Sequence, residues 1–240
     1  MKLLLPQTID WINANQGLIS IIIFLVTLLL GWTSGIFTTL RRKPKLKINL
    51  IDGPTFYSIL TTGEKFRDHN VHRTVFALYI DIANIGSAAT SIESVSIGYH
   101  WNLRPYSLNW VRYRIGWFWI HESAIALEDF RIQIGDSVKF FPFLFQRSSV
   151  SGYSTDTYLQ IGQRINGVAY YEQADSWGGC QPIPFRGGTR VIVSIKDVFG
   201  RRTRRKFWIP MATLDDAKKF NPSFGETLSA LRRGSSQTVE

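Results

Sequence analysis

The sequence predicts a mainly β protein: one N-terminal transmembrane helix, then an antiparallel β-sandwich (Ig-like or barrel-like), then short C-terminal helices. Three observations carry this. No residue between Asp10 and Arg41 is charged. From Lys47 to Ile209 short apolar runs alternate with polar residues, separated by Gly, Pro, Asn and Asp. No long helical period occurs between residues 46 and 210, although 45% of the 240 residues are apolar, enough for a sizeable core.

Residues 1–17 read as an extracytoplasmic segment and residues 18–40 as the transmembrane helix. A span from Leu18 to Thr38 holds 21 residues, about 31 Å of helix, close to the hydrocarbon thickness of a bilayer. Trp11 and Trp32 lie near its two ends, as interfacial aromatics do. A signal peptide competes with this reading, but its apolar part would be shorter, and Thr33-Ser34-Gly35 makes a poor cleavage site. A buried core helix would show a polar face, which is missing. Residues 41–47 form a basic juxtamembrane linker with Arg41, Arg42, Lys43, Lys45 and Lys47, against Lys2 alone before the span. The positive-inside rule therefore puts the N-terminus outside and the C-terminal domain in the cytoplasm of an inner or plasma membrane. Gly31 and Gly35 have the G-x-x-x-G spacing of self-associating anchors, so a homo-oligomer is one expectation.

Residues 48–210 read as the sandwich, nine or ten strands in all. Lys47–Ile51 forms the first, closed by Asp52-Gly53-Pro54. Thr74–Ile82 places Phe76, Leu78, Ile80 and Ile82 on one face, the pattern of a half-buried strand. Ser91–Tyr99 follows, with a bulge expected between Ile92 and Val95. Further strands are expected at Trp110–Trp119, Phe130–Ile134, Val138–Phe145, Thr157–Ile161, Val168–Tyr171, Arg190–Ile195 and Thr203–Ile209. Asp197-Val198-Phe199-Gly200 joins the last two as a hairpin. In residues 211–240, Thr213 caps one short helix with Asp215 and Asp216 in its first turn, Glu226–Arg233 forms another, and a tail follows.

The Trp-containing lead-in, the apolar helix, the stop Arg41-Arg42-Lys43-Pro44-Lys45, a strand ending in Asn84-Ile85-Gly86 and the late hairpin Asp197-Val198-Phe199-Gly200-Arg201 together resemble uncharacterised bacterial single-pass, membrane-anchored β-sandwich proteins. The resemblance concerns architecture and implies an accessory or sensing role, with no site residues to carry over.

The chemistry-bearing residues are few. Asp68, His69 and His72 form a histidine cluster in what reads as a polar loop, without a third metal ligand in sequence. His100 and His121, the latter beside Glu122, could serve acid–base work, but no G-x-S-x-G serine accompanies them. The single Cys180 excludes an internal disulfide and has no identifiable partner. The Gly178-Gly179 and Gly187-Gly188 pairs lack the lysine of a phosphate loop and read as turns. No catalytic, cofactor or metal site is legible.

Charge and aromatics say more. The net charge is +10, and residues 48–240 hold 22 basic against 17 acidic residues, an excess matched by Arg201, Arg202, Arg204, Arg205 and Lys206. These five, with Arg41–Lys47, could contact anionic lipid head groups, or the late strand could be an edge guarded by charge. Within Trp101–Trp119, Trp110, Tyr113, Trp117 and Trp119 alternate with arginines. That pattern suits core, a partner surface or a membrane interface, and suits nucleic acid less. The sequence thus points to a membrane-tethered, non-enzymatic interaction or sensing module with an unidentified protein partner. An enzyme assembled from distant residues, or an effector acting through its anchor, is the alternative.

Overall fold

The computed structural model describes residues 10–11, 13–35, 42–146, 156–228 and 231. The chain divides into two compact units, residues 1–43 and residues 44–240. The first contains helix α1 (Gln16–Thr33), 18 residues with no buried side chain, long and apolar enough to cross a membrane. Its threonine hydroxyls are satisfied internally: Thr27 Oγ1 donates to the Ile23 carbonyl at 2.7 Å and Thr33 Oγ1 to that of Leu29 at 3.0 Å. An apolar solvent therefore leaves them no unmet bond. The helix stops short of the expected Thr38: Ser34 caps it, Gly35 has φ 77°, and residues 36–41, Arg41 included, lie outside the described residues. Gly35 thus follows the helix rather than stacking one turn beyond Gly31, and the pair does not form a two-glycine helix face.

The second unit is mainly β, with eleven strands among the described residues. In chain order they are β1 (Leu46–Leu50), β2 (Phe56–Phe66), β3 (His69–Asn84), β4 (Thr90–Tyr99), β5 (Phe118–Ile120), β6 (Phe130–Ile134), β7 (Ser137–Phe141), β8 (Tyr158–Leu159), β9 (Arg164–Trp177), β10 (Gly188–Asp197) and β11 (Arg202–Pro210). Every pairing between them is antiparallel. Sheet one centres on β3: β9 lies along one edge, and β1 and β2 run end to end along the other. Sheet two has the order β11-β10-β4-β5, with β8 beside the start of β4.

The sheets pack face to face. Ile48, Phe76, Leu78, Ile80, Ile82 and Tyr171 from sheet one meet Val95, Ile97, Tyr99, Val191, Val193 and Ile195 from sheet two, all buried. The Phe76 and Tyr99 rings meet tilted, 4.9 Å between centres, and Tyr171 OH crosses between the sheets to donate to the Val95 carbonyl at 2.9 Å. The expected bulge in β4 exists: Lys196 faces Ser94 while Asp197 faces Ile92, so Glu93 is the extra residue.

A third layer covers the far face of sheet one. Phe130 and Phe141 of the β6–β7 hairpin, Phe143, Ala217 and Phe224 pack on Phe56, Val75, Tyr79, Val168 and Tyr170. The layer is pinned by a buried ion pair: Arg73 Nε donates to Glu172 at 2.6 Å, Thr227 Oγ1 donates to the other carboxylate oxygen, and an Arg73 terminal nitrogen donates to the Gly225 carbonyl at 2.7 Å. This corrects the half-buried reading of Thr74–Ile82, because Thr74–Asn84 is buried throughout. Helix α2 (Leu214–Lys218) begins as expected, with Thr213 Oγ1 accepting from the Asp216 N–H at 3.2 Å. Of the helix expected at Glu226–Arg233, Leu228 and Leu231 are helical, Glu226 and Thr227 are not, and residues 229–230 and 232–233 lie outside the described residues.

Two further expectations fail. Strand β2 was not foreseen, and His69 and His72 lie in β3 rather than in a loop. Trp110–Trp119 is not one strand: Trp110–Ile115 is a single π-helical turn, closed by the Gly116 N–H donating to the Val111 carbonyl at 3.1 Å, and only Phe118–Ile120 pairs with β4. A Cβ on Gly116 would lie 2.2 Å from the Arg112 carbonyl oxygen, so a side chain there would collide with that turn.

Candidate functional site

Among the described residues sheet one is covered by other layers on both faces and sheet two on one; the outer face of sheet two is covered by its own side chains, with Ile192 and Ser194 buried and Arg190, Arg204, Lys206 and Trp208 exposed. Strand alternation decides what stands there. In β11, Phe207 and Ile209 turn to the core, so Arg202, Arg204, Lys206 and Trp208 turn outward. In β4, Val95, Ile97 and Tyr99 turn inward, leaving the small residues Ser94, Ser96 and Gly98 outside.

Gly98 is the key position. Its register neighbours are Ile192 on β10 and Trp119 on β5. A Cβ there would sit 2.8 Å from Ile192 Cγ2 and 3.2 Å from the Trp119 ring. Only a glycine lets the indole lie across β4 against Ile192. From there Trp119 reaches the opposite edge of the sheet, where the Arg204 guanidinium lies 5.2 Å from its ring centre. Lys206 Nζ lies 5.6 Å from the Trp117 ring in the same way. Each exposed contact of this kind contributes about 0.5–1 kcal/mol.

The histidines join the same face. His100 packs on Trp117 at 3.8 Å between ring centres, with Nδ1 2.6 Å from the Gly116 carbonyl oxygen, and His121 lies near-parallel to Trp119 at 6.2 Å. Burial pushes the His100 imidazole below its ordinary value, against the hydrogen bond to the Gly116 carbonyl, and the charges of Arg114 and Lys206 add to the lowering. Further along β10 and β11, Arg190 faces Trp208, stacks on Phe185 at 4.6 Å, and Trp208 Nε1–H donates to the Phe185 carbonyl at 3.0 Å. A Cβ on Gly188 would lie 2.2 Å from the Ile209 carbonyl oxygen and 2.6 Å from the Trp208 ring, so this glycine admits both the neighbouring backbone and the indole. Of the other charges on these strands, Lys196 is paired with Glu93 at 2.5 Å.

The structure therefore unites two features that are separate in sequence, Trp117 and Trp119 with Arg204 and Lys206. Sequence reasoning missed Gly98, Phe185, Arg190 and Trp208. The signals were present in the small-residue series Ser94, Ser96, Gly98 and in the period-two set Arg204, Lys206, Trp208. The rest of the Trp101–Trp119 stretch divides: Trp101, Tyr113 and Phe118 cluster at the rim of the core, with Arg112 over Tyr113, while Tyr106 is 98% exposed beside Trp110. Arg205 goes elsewhere, donating at 2.6 Å to both the Ile48 carbonyl and Asn49 Oδ1 and so capping the free edge of β1. Arg42, Lys43, Lys45, Lys47, Arg201 and Arg202 are exposed.

Away from this face, an open cavity of about 760 Å³ is lined by Asp68, His69, Trp177 and Cys180 among others. His72 is buried, with Nε2 3.4 Å from the Cys180 carbonyl oxygen. Burial pushes the Cys180 thiol up, the reverse of an activated nucleophile. Among the described residues no group of three or more His, Cys, Asp or Glu side chains is arranged to hold a metal ion. No family model and no curated protein matches the chain.

Proposed function

We propose that the chain is a membrane-tethered, non-enzymatic interaction or sensing module whose β-sandwich works in the cytoplasm. Its working surface in this reading is the outer face of sheet two, and its partner is a protein with an acidic docking patch. The carrying observation is the convergence of Trp117, Trp119, Arg204 and Lys206 on the outer face of sheet two, which no other layer covers among the described residues. Half-buried aromatics framed by cations are the composition of binding hot spots, and tethering by α1 raises the local concentration of a membrane-bound partner. The five basic residues after the apolar helix support the cytoplasmic side. Protease added to intact cells should leave residues 44–240 whole and should digest them after permeabilisation. Digestion from outside intact cells would reverse the orientation.

A second reading, catalysis, attaches to the cavity beside His69 and Cys180. Single alanine substitutions at His69, His72 and Cys180, which stand away from the sheet-two face, should each leave function largely intact. Loss in a normally folded variant at His69 or Cys180 would favour the enzyme.

A further inference from the structure

Where the chain enters the second unit, four passages meet: Pro44–Leu46, the β3–β4 loop, the β8–β9 turn and the β10–β11 hairpin. They are bonded to one another. The Ile85 N–H donates to the Lys45 carbonyl at 2.8 Å, the Gly162 N–H to that of Asn84 at 2.8 Å, and the Val198 N–H to that of Ser91 at 3.1 Å. The turns are fixed from within. Buried Asp197 accepts from the Phe199 and Arg201 N–H groups at 3.0 and 2.8 Å, and Gly162 and Gly200 take φ of 79° and 78°.

This end has an unusual surface. Ile85, Ile161, Val198 and Phe199 are 53%, 60%, 53% and 62% exposed, each held outward by a tight turn or loop. Around them stand exposed Lys45, Arg201 and Arg202. Arg164 is also exposed, 3.8 Å from Asp81. Exposed Asp156, whose Oδ1 accepts from the Tyr158 N–H at 2.9 Å, and Glu93, paired with Lys196 at 2.5 Å, carry the opposing charge.

From this geometry we infer that the end docks on an anionic lipid bilayer, with Val198, Phe199, Ile85 and Ile161 entering the head-group region and the cations meeting phosphates. The inference rests on the tethered reading and names one contact that reading leaves open. Three things select lipid. Aliphatic tips with cations behind them match the layered chemistry of a membrane interface. A nucleic acid would need stacking rings, and three of the four tips are aliphatic. In sequence, Pro44 follows the apolar helix by ten residues and the basic run Arg41–Lys43, so a bilayer is within reach of the chain.

The test uses the full chain with Cys180→Ser, reconstituted in nanodiscs of phosphatidylcholine with or without phosphatidylglycerol. An environment-sensitive fluorophore is placed at Phe199→Cys, at Ile161→Cys, or at the control Ile134→Cys, which is exposed on the β6–β7 hairpin. Labels at 199 and 161 should shift to the blue and be quenched by bromolipid in anionic discs, and the label at 134 should stay in water. Arg201→Gln with Arg202→Gln should reduce the membrane-inserted population at 199 about tenfold or more, since each cation near an anionic surface contributes roughly a factor of five. A chain that alkaline carbonate strips from membranes sinks the tether and this inference with it. A carbonate-resistant chain whose 199 label stays in water, or behaves like 134, sinks the docking alone. Protection of the 199 label in native membranes but not in anionic discs would assign this end to a protein and overturn the lipid contact.

Discussion

Replacing Asn84 should loosen the end of the sandwich where the chain enters it. The side chain is fully buried and joins three passages. Its Oδ1 accepts from the Gly86 N–H at 3.0 Å and, at 3.4 Å, from the Lys45 N–H. Its Nδ2 donates to the Ala88 carbonyl at 2.8 Å and to that of Leu159 at 3.2 Å. Asn84→Ala removes three sound bonds and one long one. At about 1 kcal/mol per bond the loss is near 3 kcal/mol. Orphaned carbonyls raise that figure and water entering from the loops lowers it, so about 2–4 kcal/mol brackets the effect. With a urea dependence of roughly 2–3 kcal/mol/M, the midpoint should fall by about 1 M. Urea titration of the full chain in detergent, followed by tryptophan fluorescence, reads this. Asn84→Asp keeps the acceptor but loses both donors and buries a carboxylate, so it should be no better than alanine. An alanine midpoint within about 0.2 M of wild type would refute the role given to Asn84.

Arg73→Ala removes the guanidinium from the Glu172 carboxylate, 3% exposed, and should cost about 3–5 kcal/mol in the same titration. Arg73→Met with Glu172→Leu should recover part of that, and failure to recover any would mean that the uncompensated carboxylate is not the source of the cost. His100 gives a pH signature. Its folded-state value is depressed, so as pH falls through about 6.5 the unfolded chain takes up the proton first. The stability this group provides is full above that pH, declines below it, and levels off under the folded value. His100→Gln should flatten the stability profile between about pH 7 and pH 5 relative to wild type, and equal slopes would contradict the environment described for His100.

Much of the fold was legible because alternation reports burial directly. The β10–β11 hairpin, the bulge at Glu93, strand β6 and the Thr213 cap fall where pattern and turn chemistry place them. The second half of strand β2 was hidden because Thr61–Phe66 is exposed throughout and polar through Thr61–Lys65, so it shows no apolar period; Lys65 and Phe66 pair with the exposed Asn70 and His69 of β3. The π-helical turn was misread because Trp110, Arg112 and Arg114 alternate with apolar residues at a spacing of two, which imitates a strand. The face of sheet two was out of reach for another reason. Its elements come from residues around 98, 119, 190 and 206, and only register brings them together. Once β4, β5, β10 and β11 are ordered, Gly98 explains where Trp119 lies, and alternation explains why Arg204 and Lys206 meet the two tryptophans.

The sheet-two surface is best tested by photo-crosslinking in native membranes. Benzoylphenylalanine at Trp208, 47% exposed on that face, is compared with the same group at Ile134, 60% exposed on the β6–β7 hairpin. Position 208 should give a discrete protein adduct that Arg204→Glu with Lys206→Glu abolishes at unchanged abundance. An adduct indifferent to charge reversal, or identical from 134, would show that this face is not where the protein meets its partner.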